Sequence, residues 1–126
     1  MKAIIVDDSR SMRMMLKKLL TGAGFDTFVE AGHGQEALDK LREGGAVDLA
    51  LVDWNMPVMT GIDLVRAVRK EHAYDAMTVM MVTTESGMSQ MQEALEAGAN
   101  EFMMKPFTPE ALREKLQILG LVPSDA

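Results

Sequence analysis

The chain contains no cysteine. Disulfides, thiolate nucleophiles and cysteine-ligated zinc or iron–sulfur centres are therefore excluded, and the absence fits a reducing compartment. No apolar stretch approaches the length of a membrane span, and the apolar part of the opening MKAIIVDD is too short for a secretory signal. There is no basic excess: the net charge is −6. This argues against binding a nucleic-acid backbone or an anionic membrane surface. No linker, low-complexity tract or repeated signature is visible apart from a short tail at 123–126. These absences predict one cytoplasmic domain spanning 1–126. A composition 48% apolar and 25% charged makes it globular rather than disordered.

What is present alternates. Short apolar runs that read as buried strands sit at Ala3–Val6, Thr27–Val29, Leu49–Val52, Val79–Val82 and Phe102–Met104. Between them lie stretches of helical period: Ser11–Leu20, Gly34–Glu43, Gly61–Glu71, Met88–Ala97 and Thr108–Leu119. On the first, Met12, Met15, Leu16, Leu19 and Leu20 share a face, with Arg13, Lys17 and Lys18 opposite. On the fourth, Met91, Ala94 and Leu95 form the apolar face. Gly22, Gly24, Gly44, Gly45 and Gly98 stand where helices should stop, and Thr108-Pro109-Glu110 is a helix start. Continuous apolar strands alternating with helices predict a parallel sheet covered on both faces. The chain is too short for an eight-fold barrel. The expected fold is a flavodoxin-like, doubly wound α/β sheet of five strands in the order 2-1-3-4-5, flanked by five helices, with its ligand site outside the carboxyl ends of the strands.

Four of the five strands deliver chemistry to that rim. The first ends in Asp7-Asp8, the third in Asp53, the fourth in Thr83-Thr84 and the fifth in Lys105-Pro106. Three carboxylates gathered on one edge repel each other and raise each other's pKa. A small hard cation between them, Mg²⁺ or Mn²⁺, removes that penalty. A metal, the Lys105 ammonium and the Thr83 hydroxyl around one carboxylate form a clamp for a dianionic tetrahedral group. Phosphoryl transfer needs such positioning and charge neutralisation. Asp53 is then the nucleophile, since carboxylates form aspartyl-phosphates.

The stretches VDDSRSMR, VDWNMP, MVTTE and KPFTPEALREKL, with the helix-ending EAGAN, resemble the receiver domain of bacterial two-component response regulators, and within it the single-domain chemotaxis type. The resemblance covers Lys2 to about Leu119. It implies that Asp53 is the phosphoacceptor, and that Asp8 is a direct metal ligand with Asp7 acting through water. It gives the Asn55 backbone carbonyl as the third protein ligand. Thr83, with Thr84 beside it, would bind the phosphoryl group, Lys105 would pair with it, and the Lys105–Pro106 bond would be cis. Phe102 occupies the aromatic switch position, without the hydroxyl of the tyrosine typical there. Asn55 and Glu85 occupy the positions that tune autodephosphorylation, which is expected to be rapid. Thr60 replaces an acid common in the family. Met88 and Met91, with Phe102, would belong to an output face, while the remaining methionines are expected to be mostly core filler. The implied partners are a histidine kinase as phosphodonor, docking near Arg13, Lys17 and Lys18, and an output protein such as the flagellar motor switch. The protein is expected to be a monomer.

Plainer readings stand beside these. Asp7-Asp8 could cap the first helix, one of Thr83-Thr84 could cap the fourth, Trp54 could simply pack, and His33 and His72 read as solvated residues without a role. A phosphorelay shuttle or phosphate sink is the close alternative function. From other classes come a Mg²⁺-dependent aspartyl phosphohydrolase, which usually carries an acid where Asn55 stands, and a flavin carrier, whose phosphate loop "DDSRS" would fill with acids.

Overall fold

The computed structural model describes residues 1–84 and 87–122. Within them strands and helices alternate in the order β1 Lys2–Val6, α1 Arg10–Gly22, β2 Thr27–Ala31, α2 Gly34–Gly44, β3 Leu49–Val52, α3 Gly61–Arg69, β4 Thr78–Thr83, α4 Met88–Ala97, β5 Glu101–Met104 and α5 Pro109–Ile118. Every strand pair is parallel, and the sheet order is β2-β1-β3-β4-β5. The expected doubly wound fold is observed, with element ends shifted by one or two residues. One element was not anticipated. The run Gly61–Glu71 stops being α-helical at Arg69, and a 3₁₀ turn, His72–Tyr74, follows and buries Tyr74. Among the described residues no helix is long and apolar enough to cross a membrane.

Strand side chains alternate between two cores. Ile4, Val6, Ala50, Val52, Val79, Met81 and Phe102 pack toward α2, α3 and α4. Ala3, Ile5, Leu49, Leu51, Met80, Val82 and Met103 pack toward α1 and α5. Both faces are covered, so the central strands can be apolar throughout.

Four readings are corrected at the helix starts. Ser9, His33, Thr60 and Thr108 each accept a hydrogen bond from the backbone N–H three residues on, at Met12, Glu36, Asp63 and Ala111. The cap of α1 is therefore Ser9, not the acidic pair. His33 has a structural role after all, because its Nδ1 satisfies the first turn of α2 at 3.2 Å. His72 is not isolated either, since its ring lies 3.2 Å from Asp75. Helix α4 begins at Gly87 with no side-chain cap, so neither Thr83 nor Thr84 serves it.

Burial corrects further readings. Of thirteen methionines only Met56, Met77, Met80, Met81 and Met103 are buried, while Met1, Met14, Met15, Met88, Met91 and Met104 are exposed. Methionine is therefore as much a surface residue here as core filler. On α4 only Ala94 is buried, and Met91 and Leu95 face outward. Helix α1 buries Leu16 and Leu20 but leaves Met15 exposed. Arg13, placed by periodicity on the outer face, turns inward.

Candidate functional site

Strand register brings the site together. Val6 pairs with Val52, so the next residues on each strand, Asp7 and Asp53, emerge side by side. Thr83 pairs with Met104, which places Lys105 one residue beyond on the neighbouring strand. Backbone hydrogen bonds continue the ladder past the strand ends. Asp53 N donates to the Val6 carbonyl at 2.9 Å, Asp7 N to Ala31 at 3.0 Å and Lys105 N to Thr83 at 2.8 Å. The rim residues are thus held by the sheet rather than by free loops.

The backbone behind Asp53 is equally constrained. Gly61 N donates to the Trp54 carbonyl at 2.9 Å. A Cβ on Gly61 would overlap the Asp53 carbonyl oxygen, so only glycine lets α3 start this close behind the acid. Val58, between them in sequence, has φ 70°, an unusual conformation for a β-branched residue. Its side chain is 80% exposed. Trp54 packs against the core below the rim.

Carboxylate oxygens of Asp7, Asp8 and Asp53 all lie within 4.8 Å of one another. Asp7 and Asp53 are buried, and Asp8 is exposed. Lys105 Nζ sits 2.8 Å from Asp7 Oδ2 and 3.7 Å from Asp53 Oδ2. The other Asp7 oxygen accepts from Ser9 N at 2.8 Å. The single ammonium thus serves Asp7 first and Asp53 second. Burial is the main cause that lifts the Asp53 carboxyl above the usual carboxylate range. Lys105 opposes it, and the Asp7 and Asp8 charges add to it.

Among the described residues the arrangement sets one ammonium among three converging carboxylates. Hard anionic oxygens at this spacing fit a small divalent cation, which would neutralise the uncompensated charge. Asp7, Asp8 and Asp53 could hold it, and Asn55, two residues after Asp53, is exposed.

The other residues singled out from sequence distribute as follows. Thr83 is fully buried at the end of β4, and Thr84 is exposed beside it. Phe102 is buried on β5. The Lys105–Pro106 bond is cis. Met88 is 87% exposed and Met91 is exposed on the same helix. Glu85 lies outside the described residues. Of the basic stripe on α1, Lys17 lies over the Phe28 ring at 5.7 Å and Arg13 is engaged with Glu30 and the Asp7 carbonyl. Sequence reasoning missed Arg13 because helical periodicity places a Cβ but not the end of a long side chain. It also missed Ser9 and Thr60, although a hydroxyl three residues before a helical N–H is a readable cap signal.

Residues 3–117 match the family model for the response regulator receiver domain. The chain is 48% identical over 121 residues to a Campylobacter jejuni protein named "Chemotaxis protein CheY homolog", covering 95% of this chain and 93% of that one. It is 42% identical to "Chemotaxis protein CheY1" of Helicobacter pylori, covering 94% and 96% respectively. The solved structure of Vibrio cholerae chemotaxis protein CheY4 superposes with a TM-score of 0.85 at 40% identity, covering 93% of this chain and 96% of that one. With the sheet order, the carboxylate trio and the flanking lysine already in place, the conclusion is that this chain belongs to the response regulator receiver domain family.

Proposed function

We propose that the protein works as a single-domain phosphorylation switch, residues 1–126, in chemotaxis. A histidine kinase phosphorylates it on Asp53, and its output is phosphorylation-dependent binding to a partner such as the flagellar motor switch. The reading rests on one observation above the others: three carboxylates share one sheet edge with a single ammonium, and Asp53 is the buried member that Lys105 serves less closely. The chemotaxis names of relatives that this chain covers almost end to end support the pathway. In this reading the protein acts in the cytoplasm as a monomer.

In this mechanism an Asp53 carboxylate oxygen attacks phosphorus. The P–N bond to the donor imidazole breaks and its electron pair leaves on nitrogen, where a proton restores the neutral ring. Mg²⁺ bound by Asp7, Asp8, Asp53 and the Asn55 carbonyl would supply charge neutralisation to the phosphoryl oxygens. Lys105 adds a fixed positive charge against them, releasing part of its hold on Asp7. The Thr83 hydroxyl, with Thr84 beside it, donates to the phosphoryl group. Its movement and that of Phe102, two residues before Met104, its partner in the sheet register, carry the change to the α4–β5 face bearing Met88 and Met91. Asn55 and Glu85 set how readily water reaches phosphorus in the reverse hydrolysis.

The test is incubation with Mg²⁺ and acetyl phosphate followed by mass spectrometry. A base-labile adduct on Asp53, absent from Asp53→Asn, is the expected result. Turnover of many phosphoesters without a trapped adduct would instead indicate the phosphohydrolase, a reading weakened by an amide rather than an acid at Asn55. A phosphorylated form that discharges to a second histidine protein but binds no output partner would identify a relay shuttle or sink.

A further inference from the structure

Arg13 reaches the site from behind. Its Nη1 donates to the Asp7 carbonyl oxygen at 2.5 Å, and its Nε pairs with Glu30 Oε1 at 3.2 Å. Only 18% of the Arg13 side chain is exposed. Glu30 is anchored in turn, since its backbone carbonyl accepts from Lys40 Nζ of α2 at 2.5 Å. Asp7 N closes the circuit on the Ala31 carbonyl at 3.0 Å. The guanidinium touches no carboxylate of the trio. What it fixes is the peptide linking Asp7 to Asp8, and with it the direction in which both side chains leave the backbone.

We propose that Arg13, oriented by Glu30, is a positioning residue that holds the Asp7–Asp8 peptide in the conformation that binds a divalent cation. This rests on reading the carboxylate trio as a cation site. Groups one step removed from a metal commonly change its affinity by about 10–100-fold when removed. The planar two-sided guanidinium suits the task, because it can engage a carbonyl and a carboxylate at once, whereas an ammonium is a single point.

Charge alone makes the opposite forecast. Removing a cation beside three carboxylates deepens the negative potential and should tighten dication binding. Arg13→Met keeps the apolar stem and removes the charge, so the sign of its effect decides. The measurement is Mg²⁺ titration followed by the emission of Trp54, the single tryptophan, beside Asp53. Melting of the metal-free proteins and acetyl-phosphate labelling at saturating Mg²⁺ are measured in parallel. Arg13→Met is expected to weaken Mg²⁺ about tenfold, with labelling at saturation within about twofold of wild type. Arg13→Lys is expected to recover only part of the loss. Glu30→Gln is the second variant should Arg13→Met not fold. Its side chain is 38% exposed, so a purely electrostatic effect fades at high salt, whereas a positioning loss of about threefold persists there. Unchanged or tighter Mg²⁺ binding by Arg13→Met, or a Glu30→Gln loss that salt abolishes, overturns the proposal. A wild type that binds no Mg²⁺ overturns the cation-site reading and this proposal with it. Normal wild-type binding with an indifferent Arg13→Met overturns this proposal alone.

Discussion

The two ends of the sheet solve the same problem in opposite ways. At the amino ends of β4 and β5, half-buried Arg69 leaves the last turn of α3 and is surrounded by neutral oxygens. Its Nε donates to the Gly98 carbonyl at 2.9 Å, Nη1 to Tyr74 at 2.8 Å, and Nη2 to Met77 at 2.7 Å and to Asn100 Oδ1 at 2.9 Å. At the carboxyl ends, Asp7, Asp8 and Asp53 crowd together with Lys105 as their ammonium. Both ends bury charge. One surrounds it with neutral acceptors that take four of the five guanidinium N–H donors. The other sets three carboxylates against one ammonium among the described residues. The first arrangement is a structural fastening, and the second is, in the proposed function, the responsive end.

The sharpest way to break this contrast is chemical. Asp53→Asn should abolish acetyl-phosphate labelling outright by mass spectrometry, while Arg69→Ala should label like wild type at a temperature where it is folded. The stability effects should run the other way. Arg69→Ala strands several buried carbonyls and should cost about 3 kcal/mol in urea unfolding, with its Mg²⁺ affinity unchanged. Mg²⁺ at about a hundred times its dissociation constant should stabilise wild type by about 2.7 kcal/mol, and should do far less for Asp8→Asn.

Metal-free Asp53→Asn should melt a few degrees above wild type at neutral pH. The folded carboxyl lies above its unfolded value. Its contribution is therefore most favourable below the ordinary carboxylate pKa and is lost as pH rises through the raised folded value. The gap between variant and wild type should close on acidification, which a pH series of melting curves would reveal. The smallest effect concerns the loop at the responsive end. Val58→Asn, relieving a β-branched residue at φ 70°, should stabilise by about 1 kcal/mol without altering labelling.

These two ends also differ in how much could be read from residues alone. The responsive end was legible, because a parallel sheet of buried strands delivers the residue after each strand to one rim. Register then needs only the lengths of the apolar runs, so Asp7, Asp53, Thr83 and Lys105 followed. The fastened end was not legible. Arg69 sits at the end of an amphipathic helix, where a basic residue is ordinary, and its acceptors come from two separate segments, 74–77 and 98–100. Arg13 escaped for the same reason. Periodicity also misjudged Leu95, since α4 covers the sheet mainly through Ala94 and exposes larger side chains, whereas the exposure of Met91 agrees with its expected place on a surface. Pattern shows where a side chain begins, and tertiary distance decides where a long one ends.

Helix α4 carries a final consequence. Its first turn lacks a side-chain cap, its one buried residue is Ala94 near the far end, and just past that end the Gly98 carbonyl is gripped by Arg69. Ala94, the Glu93–Arg66 pair at 3.1 Å and the Gly98 carbonyl all hold the distal half of the helix, so its Met88 tip is the part with the fewest ties. Under the proposed switch, a rearrangement at the neighbouring end of β4 would meet least resistance at that tip.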